Sequence, residues 1–204
     1  MADGVDENKR ATLRRFAALG AASPLVNVAS GDADAASGHS ETREAILGYL
    51  ATTPGAHFSK LRDDLKLGTG EAQHHLRRLA DAGAVTSRRD GDYRRFFPAE
   101  RFSAYEQRAL GYLRKETPRG MLVELLRDPD ATGQDLAATL DVSTATISSH
   151  AADLADAGLL SRDGGYAVER PETVLTLLVR YADSFGPRAI AFADEADSVI
   201  SYDP

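Results

Sequence analysis

Four arginines, Arg88, Arg89, Arg94 and Arg95, flank an Asp-Gly-Asp turn. Guanidinium groups hold phosphate oxygens through charge-assisted hydrogen bonds, so this is chemistry suited to a polyanion. Just ahead of them, Ala72, Leu76, Leu79 and Ala82 recur at steps of three and four, the spacing of an amphipathic helix. Burying that stripe turns Gly70, Gln73, His74, Arg77, Arg78 and Asp81 outward. Arg77 has the reach and the fork to read a guanine edge, and Gln73 suits adenine. Thr69 is expected to cap this helix and Gly83 to end it. Two short β-prone runs around the Gly-containing turn predict a hairpin. Such a helix can enter a major groove while the hairpin holds flanking phosphates.

The elements that must position these groups begin upstream. Ser40 is expected to cap a helix with Ile46, Leu47 and Leu50 on its apolar face, broken at Thr53-Pro54-Gly55. Ser59 then opens a short helix with Leu61 and Leu65 inward, and Lys66-Leu67-Gly68 turns into the helix from Thr69. Helix, short helix, tight turn, helix and hairpin is the order of a winged helix-turn-helix. Ser103 with Glu106 forms a capping box for a connecting helix, which Thr117-Pro118 ends.

The pattern then returns. A shift of 75 residues brings Leu47 onto Leu122, Leu61 onto Leu136, Leu65 onto Leu140, His75 onto His150 and Ala80-Asp81-Ala82-Gly83 onto Ala155-Asp156-Ala157-Gly158. The second copy presents Ser143, Thr144, Thr146, Ser148 and Ser149 in place of cations, and its hairpin is shorter, with Asp163-Gly164-Gly165 at the tip. After Pro171, Val174, Leu175, Leu178, Tyr181, Ala182 and Phe185 mark one helix, and Ile190, Ala193, Ala196 and Ile200 another; these apolar stripes could join two chains.

Charge separates the halves. Residues 41–98 hold 10 basic and 8 acidic groups, a net of +2, whereas residues 117–170 hold 4 and 9, a net of −5. The 204-residue chain is acidic overall, at −7, with 20 Asp and 20 Arg but only 4 Lys. That usage resembles the proteins of salt-accumulating archaea, and it bears on solubility rather than fold. There is no Cys, which excludes disulfides, thiolate catalysis and cysteine metal sites, and the five His are scattered. No run is long and apolar enough for a bilayer. No phosphate loop or nucleophile–base pairing points to an enzyme, and no cofactor or metal is expected.

Residues 1–39 read as a flexible arm and linker, with at most a short amphipathic helix from Leu13 to Gly20. Within it, Lys9, Arg10, Arg14, Arg15 and Phe16 precede a mildly apolar run ending in small residues, which resembles a twin-arginine export leader. Leu13 and the missing spacer before Phe16 depart from that pattern.

The stretch from Asp141 to His150, followed by Leu154-Ala155-Asp156-Ala157-Gly158-Leu159-Leu160, resembles the turn and second helix of an archaeal or bacterial winged-helix transcription regulator, as does the stretch from Leu65 to Val85. The arrangement is similar to halophilic archaeal regulators with tandem winged helices, related broadly to the MarR and ArsR groups. The resemblance implies binding of double-stranded DNA, usually as a homodimer in the cytoplasm, with repression the commonest outcome.

The expected architecture is mainly α with small β-hairpin wings. It places an arm at 1–39, a winged helix-turn-helix at 40–99, a connecting helix at 100–116, a second winged helix-turn-helix at 117–170 and C-terminal helices at 171–204. The expected DNA contacts are Thr69, Gln73, His74, Arg77, Arg78, Arg88, Arg89, Arg94 and Arg95. Ser143, Thr144, Thr146, Ser148 and Ser149 form a second surface for DNA or a protein partner. The competing readings are a winged-helix protein-interaction scaffold that leaves DNA alone, and an exported protein.

Overall fold

The computed structural model describes residues 3–21 and 36–199. The described residues are mainly α-helical with two small antiparallel sheets, and the chain divides into two compact units, 1–102 and 103–204.

The first unit contains α1 (Asp3–Ala21), α2 (Ala36–Thr52), β1 (Ala56–His57), α3 (Phe58–Asp64), α4 (Thr69–Asp81), β2 (Val85–Asp90) and β3 (Tyr93–Pro98). Its core gathers Ile46, Tyr49 and Leu50 of α2, Leu61 and Leu65 around α3, and Ala72, Leu76 and Leu79 of α4. The three strands lie in the order β1-β3-β2. In the hairpin, Arg88 faces Arg95, Arg89 faces Arg94 and Asp90 faces Tyr93.

The amino-terminal segment departs from the expected flexible arm. Asp3–Ala21 is one helix packed along α2. Leu13 enters the core, with Phe16 and Ala17 packed against it, and the Phe16 ring meets Tyr49 edge-on at 5.4 Å. These three residues follow helical spacing, and burying them against α2 adds the tertiary packing from which most of a helix's stability in water comes. Helix α2 starts at Ala36, so Ser40 lies inside it and is not its cap. The leader-like apolar run and the first part of the linker fall in 22–35, outside the described residues.

Three further boundaries differ. The N-cap of α3 is His57, whose Nδ1 accepts the Lys60 N–H at 3.3 Å, so Ser59 is internal. The N-cap of α4 is Gly68, with Thr69 in the first helical position; Gly68 has no side chain to accept from the helix, and the Glu71 carboxylate accepts the Gly68 N–H at 3.3 Å, the reciprocal half of a capping box. Pro118 lies in the first turn of a helix and does not break one, because a helix start has N–H groups without partners and tolerates Pro.

The second unit contains α5 (Ala104–Leu113), α6 (Glu116–Arg127), α7 (Gly133–Leu140), α8 (Thr144–Asp156), β4 (Leu160–Ser161), β5 (Ala167–Val168), α9 (Pro171–Arg180), α10 (Ala182–Phe185) and α11 (Pro187–Val199). The Ser103–Glu106 capping box is present: Glu106 N–H donates to Ser103 Oγ at 3.3 Å and Ser103 N–H to Glu106 Oε2 at 2.7 Å. Helix α5 packs on α6 and α9, so it belongs to the second unit's core. The helix expected to run from Pro171 through Phe185 is interrupted at Tyr181. Ile200, expected in the last helix, lies outside the described residues.

The shift of 75 residues reappears in the backbone. Helices α4 and α8 each have 13 residues and start 75 apart. Lys66 and Asp141, at matching places, are both left-handed with φ of 54°. Gly83 and Gly158, also matching, have φ of 69° and 68°.

Candidate nucleic-acid interface

Helix α4 buries Ala72, His75, Leu76 and Leu79. That leaves Thr69, Gly70, Gln73, His74, Arg77 and Arg78 exposed along the rest of its surface. The left-handed turn at Lys66 makes the change of direction between α3 and α4, with Leu67 N–H donating to the Arg62 carbonyl at 2.9 Å. Lys9 Nζ reaches both carboxylate oxygens of Glu71, at 2.8 and 3.1 Å. Burial pushes the Glu71 pKa up, but the Lys9 ion pair and the Gly68 N–H outweigh it and hold the carboxyl below its ordinary value.

In the hairpin, side chains alternate between faces. Arg89 and Arg94 are directly opposite each other and exposed, and Arg94 Nε donates to Ser87 Oγ at 2.9 Å. Like charges set opposite on one face repel, a cost that a bound phosphate removes. On the other face Arg88 is half-buried.

Arg95 is the exception among the expected phosphate ligands. It is 4% exposed, with Nε donating to Asp90 and Nη1 to the Gly55 carbonyl at 3.1 Å. Strand alternation puts Arg95 on the side covered by the loop after α2, so it ties the hairpin to that loop and is not available to a phosphate. Asp90, three residues before the start of β3, is its partner; a run of arginines gives no hint of which one turns inward. Tyr93, which the residue pattern does not single out, stands 51% exposed on the hairpin, with its ring 4.9 Å from His57.

His75 is buried, its ring edge-on to His74 at 5.2 Å. His150 is half-buried, with Nδ1 3.7 Å from Asp153. Among the described residues no group of three or more His, Asp or Glu is arranged to hold a metal ion. Among them too, no helix is long and apolar enough to cross a membrane.

The second unit's polar surface is built differently. Ser143 is the N-cap of α8: its Oγ accepts the Thr146 N–H at 3.0 Å and sits 2.9 Å from Thr146 Oγ1. Those two hydroxyls are occupied with each other, while Thr144, Ser148 and Ser149 stay exposed. An open cleft of about 630 Å³ lies beside the second hairpin, lined among others by Asp130, Thr132, Arg162, Asp163 and Tyr166. Its walls mix both signs of charge.

Comparison with known proteins agrees with this geometry. The chain is 27% identical over 120 residues to an uncharacterized HTH-type transcriptional regulator of Methanocaldococcus jannaschii, a stretch covering 59% of this chain and 30% of that relative. No solved structure matches the chain. The segment 40–110 matches a family described as an N-terminal HTH domain, and it contains most of α2, the α3–turn–α4 pair and the β2–β3 hairpin. Residues 40–110 are therefore similar to that helix-turn-helix domain family.

Proposed function

We infer that the protein is a transcription regulator that binds duplex DNA through its first unit. Helix α4 enters the major groove, with Gln73, His74 and Arg77 at base edges. Thr69, Arg78, Arg88, Arg89 and Arg94 take phosphates. The observation that carries this reading is the exposed Arg77, Arg78, Arg89 and Arg94 on one compact unit of a chain whose net charge is −7. The similarity of residues 40–110 to an N-terminal HTH domain family supports it. The protein acts as a cytoplasmic homodimer on paired half-sites and represses by occupying promoter DNA. The second unit is a second winged helix turned to protein contact, since its exposed helix carries hydroxyls and no cation.

Fluorescence anisotropy with promoter duplexes tests this. Arg77→Ala should weaken binding to the preferred sequence by about 1–3 kcal/mol and narrow the gap to unrelated sequence. Arg89→Ala with Arg94→Ala should weaken both alike and flatten the salt dependence. Binding that none of these changes alters, or an absence of salt-dependent binding, would overturn the reading.

A further inference from the structure

The cluster of cations in the amino-terminal helix is not used by the interface described above. The structure fixes where it sits. Lys9 is ion-paired to Glu71 in the first turn of α4. Lys66, at the exposed tip of the turn between α3 and α4, donates from Nζ to Asn8 Oδ1 at 2.9 Å. Two successive residues of α1 are thus held against the start of α4.

Helical spacing then sorts the arginines of α1. Asn8 and Arg15, seven residues apart, lie on one edge, the edge that meets Lys66. Arg10 and Arg14, four apart, lie on the other. The two edges differ in charge. The Arg10 edge also carries Glu7, three residues before Arg10, and Arg14 Nε sits 3.6 Å from Glu41 of α2. The Arg15 edge carries Asn8, Ala11, Thr12 and Arg15, with no carboxylate. Near Lys66, Arg62 covers Asp63 at 2.7 Å, and Lys9 covers Glu71. The nearby acids are therefore matched, while Lys66 and Arg15 extend into solvent.

The second unit offers an internal contrast. Its residue at the same left-handed turn position is Asp141, which would repel a phosphate. Turn geometry alone accepts either residue, so a cation there is a choice of charge.

We propose that Lys66 and Arg15 form a phosphate-binding edge, so that the amino-terminal helix is part of the DNA interface and lengthens the footprint beyond α4 and the hairpin. This rests on the DNA-binding reading above. Lys9 has a separate role: by neutralising Glu71 it removes a carboxylate from the end of α4 that approaches the DNA backbone.

The test is a salt series of duplex binding by the full chain, read by anisotropy, with circular dichroism to confirm folding. The double variant Lys66→Asn, Arg15→Gln keeps a residue that tolerates the left-handed turn. It should lower the slope of log K against log salt by about 1.8, or roughly 0.9 for each phosphate left without its cation. The control double variant, Arg10→Gln with Arg14→Gln, should leave the slope unchanged. An unchanged slope in the first variant, or equal losses in both, overturns the proposal while leaving the α4 and hairpin reading standing. Absence of salt-dependent binding by the wild-type chain overturns both.

Discussion

Arg94 and Arg95 are neighbours on β3 whose side chains leave the sheet on opposite sides. The pair separates affinity from stability. Arg94→Ala should weaken DNA binding and leave the urea midpoint unchanged. Arg95→Ala should do the reverse first: it removes the Nε donor to Asp90 and the Nη1 donor to the Gly55 carbonyl. Removing one member of a buried pair costs about 3 kcal/mol, readable by urea unfolding. Any DNA defect in that variant should follow from a displaced hairpin. Glu71 gives a pH prediction. Its carboxyl is held below its ordinary value, so its contribution to stability is present above the usual carboxylate range and is lost as pH falls through the folded-state value. Thermal midpoints recorded from neutral to acid pH should fall more steeply for the wild type than for Glu71→Gln.

At the scale of elements, the helix ends carry the testable constraint. Gly83 and Gly158 each close a helix in the left-handed region with open space around the position of a Cβ. A side chain there meets no clash, so the cost is backbone alone. Gly83→Ala and Gly158→Ala should each lower stability by about 1 kcal/mol, checked by chemical denaturation. This level of structure was largely legible in the residues: the apolar steps at Ala72, Leu76 and Leu79, the glycine after them, the hairpin and the Ser103–Glu106 box all follow local rules. Strand β1 was not, because two residues pairing with β3 leave no periodic trace. The length of α1 was not either, because Leu13 and Phe16 become a core face only when α2 lies beside them. For the interface, exposure of Gln73, His74, Arg77 and Arg78 followed from helical phase. The inward turn of Arg95 depended on a loop forty residues earlier in the chain, which no local pattern encodes.

For the whole molecule, two compact units of opposite charge predict a division of labour. A fragment covering 1–102 should retain duplex binding with most of the wild-type salt slope. A fragment covering 103–204 should show little retention on the same DNA, since its 117–170 stretch carries −5. Parallel titrations of the two fragments check this, and equal binding by both would contradict it. One consequence follows from the strand order β1-β3-β2. Strand β2 is an edge of the sheet, and the outer amides and carbonyls of an edge strand are not paired within their own sheet. Arg88 and Arg89 stand on that strand, and their mutual repulsion between copies discourages edge-to-edge stacking. The same guanidinium groups that suit a polyanion therefore also guard the protein against aggregation through its own sheet.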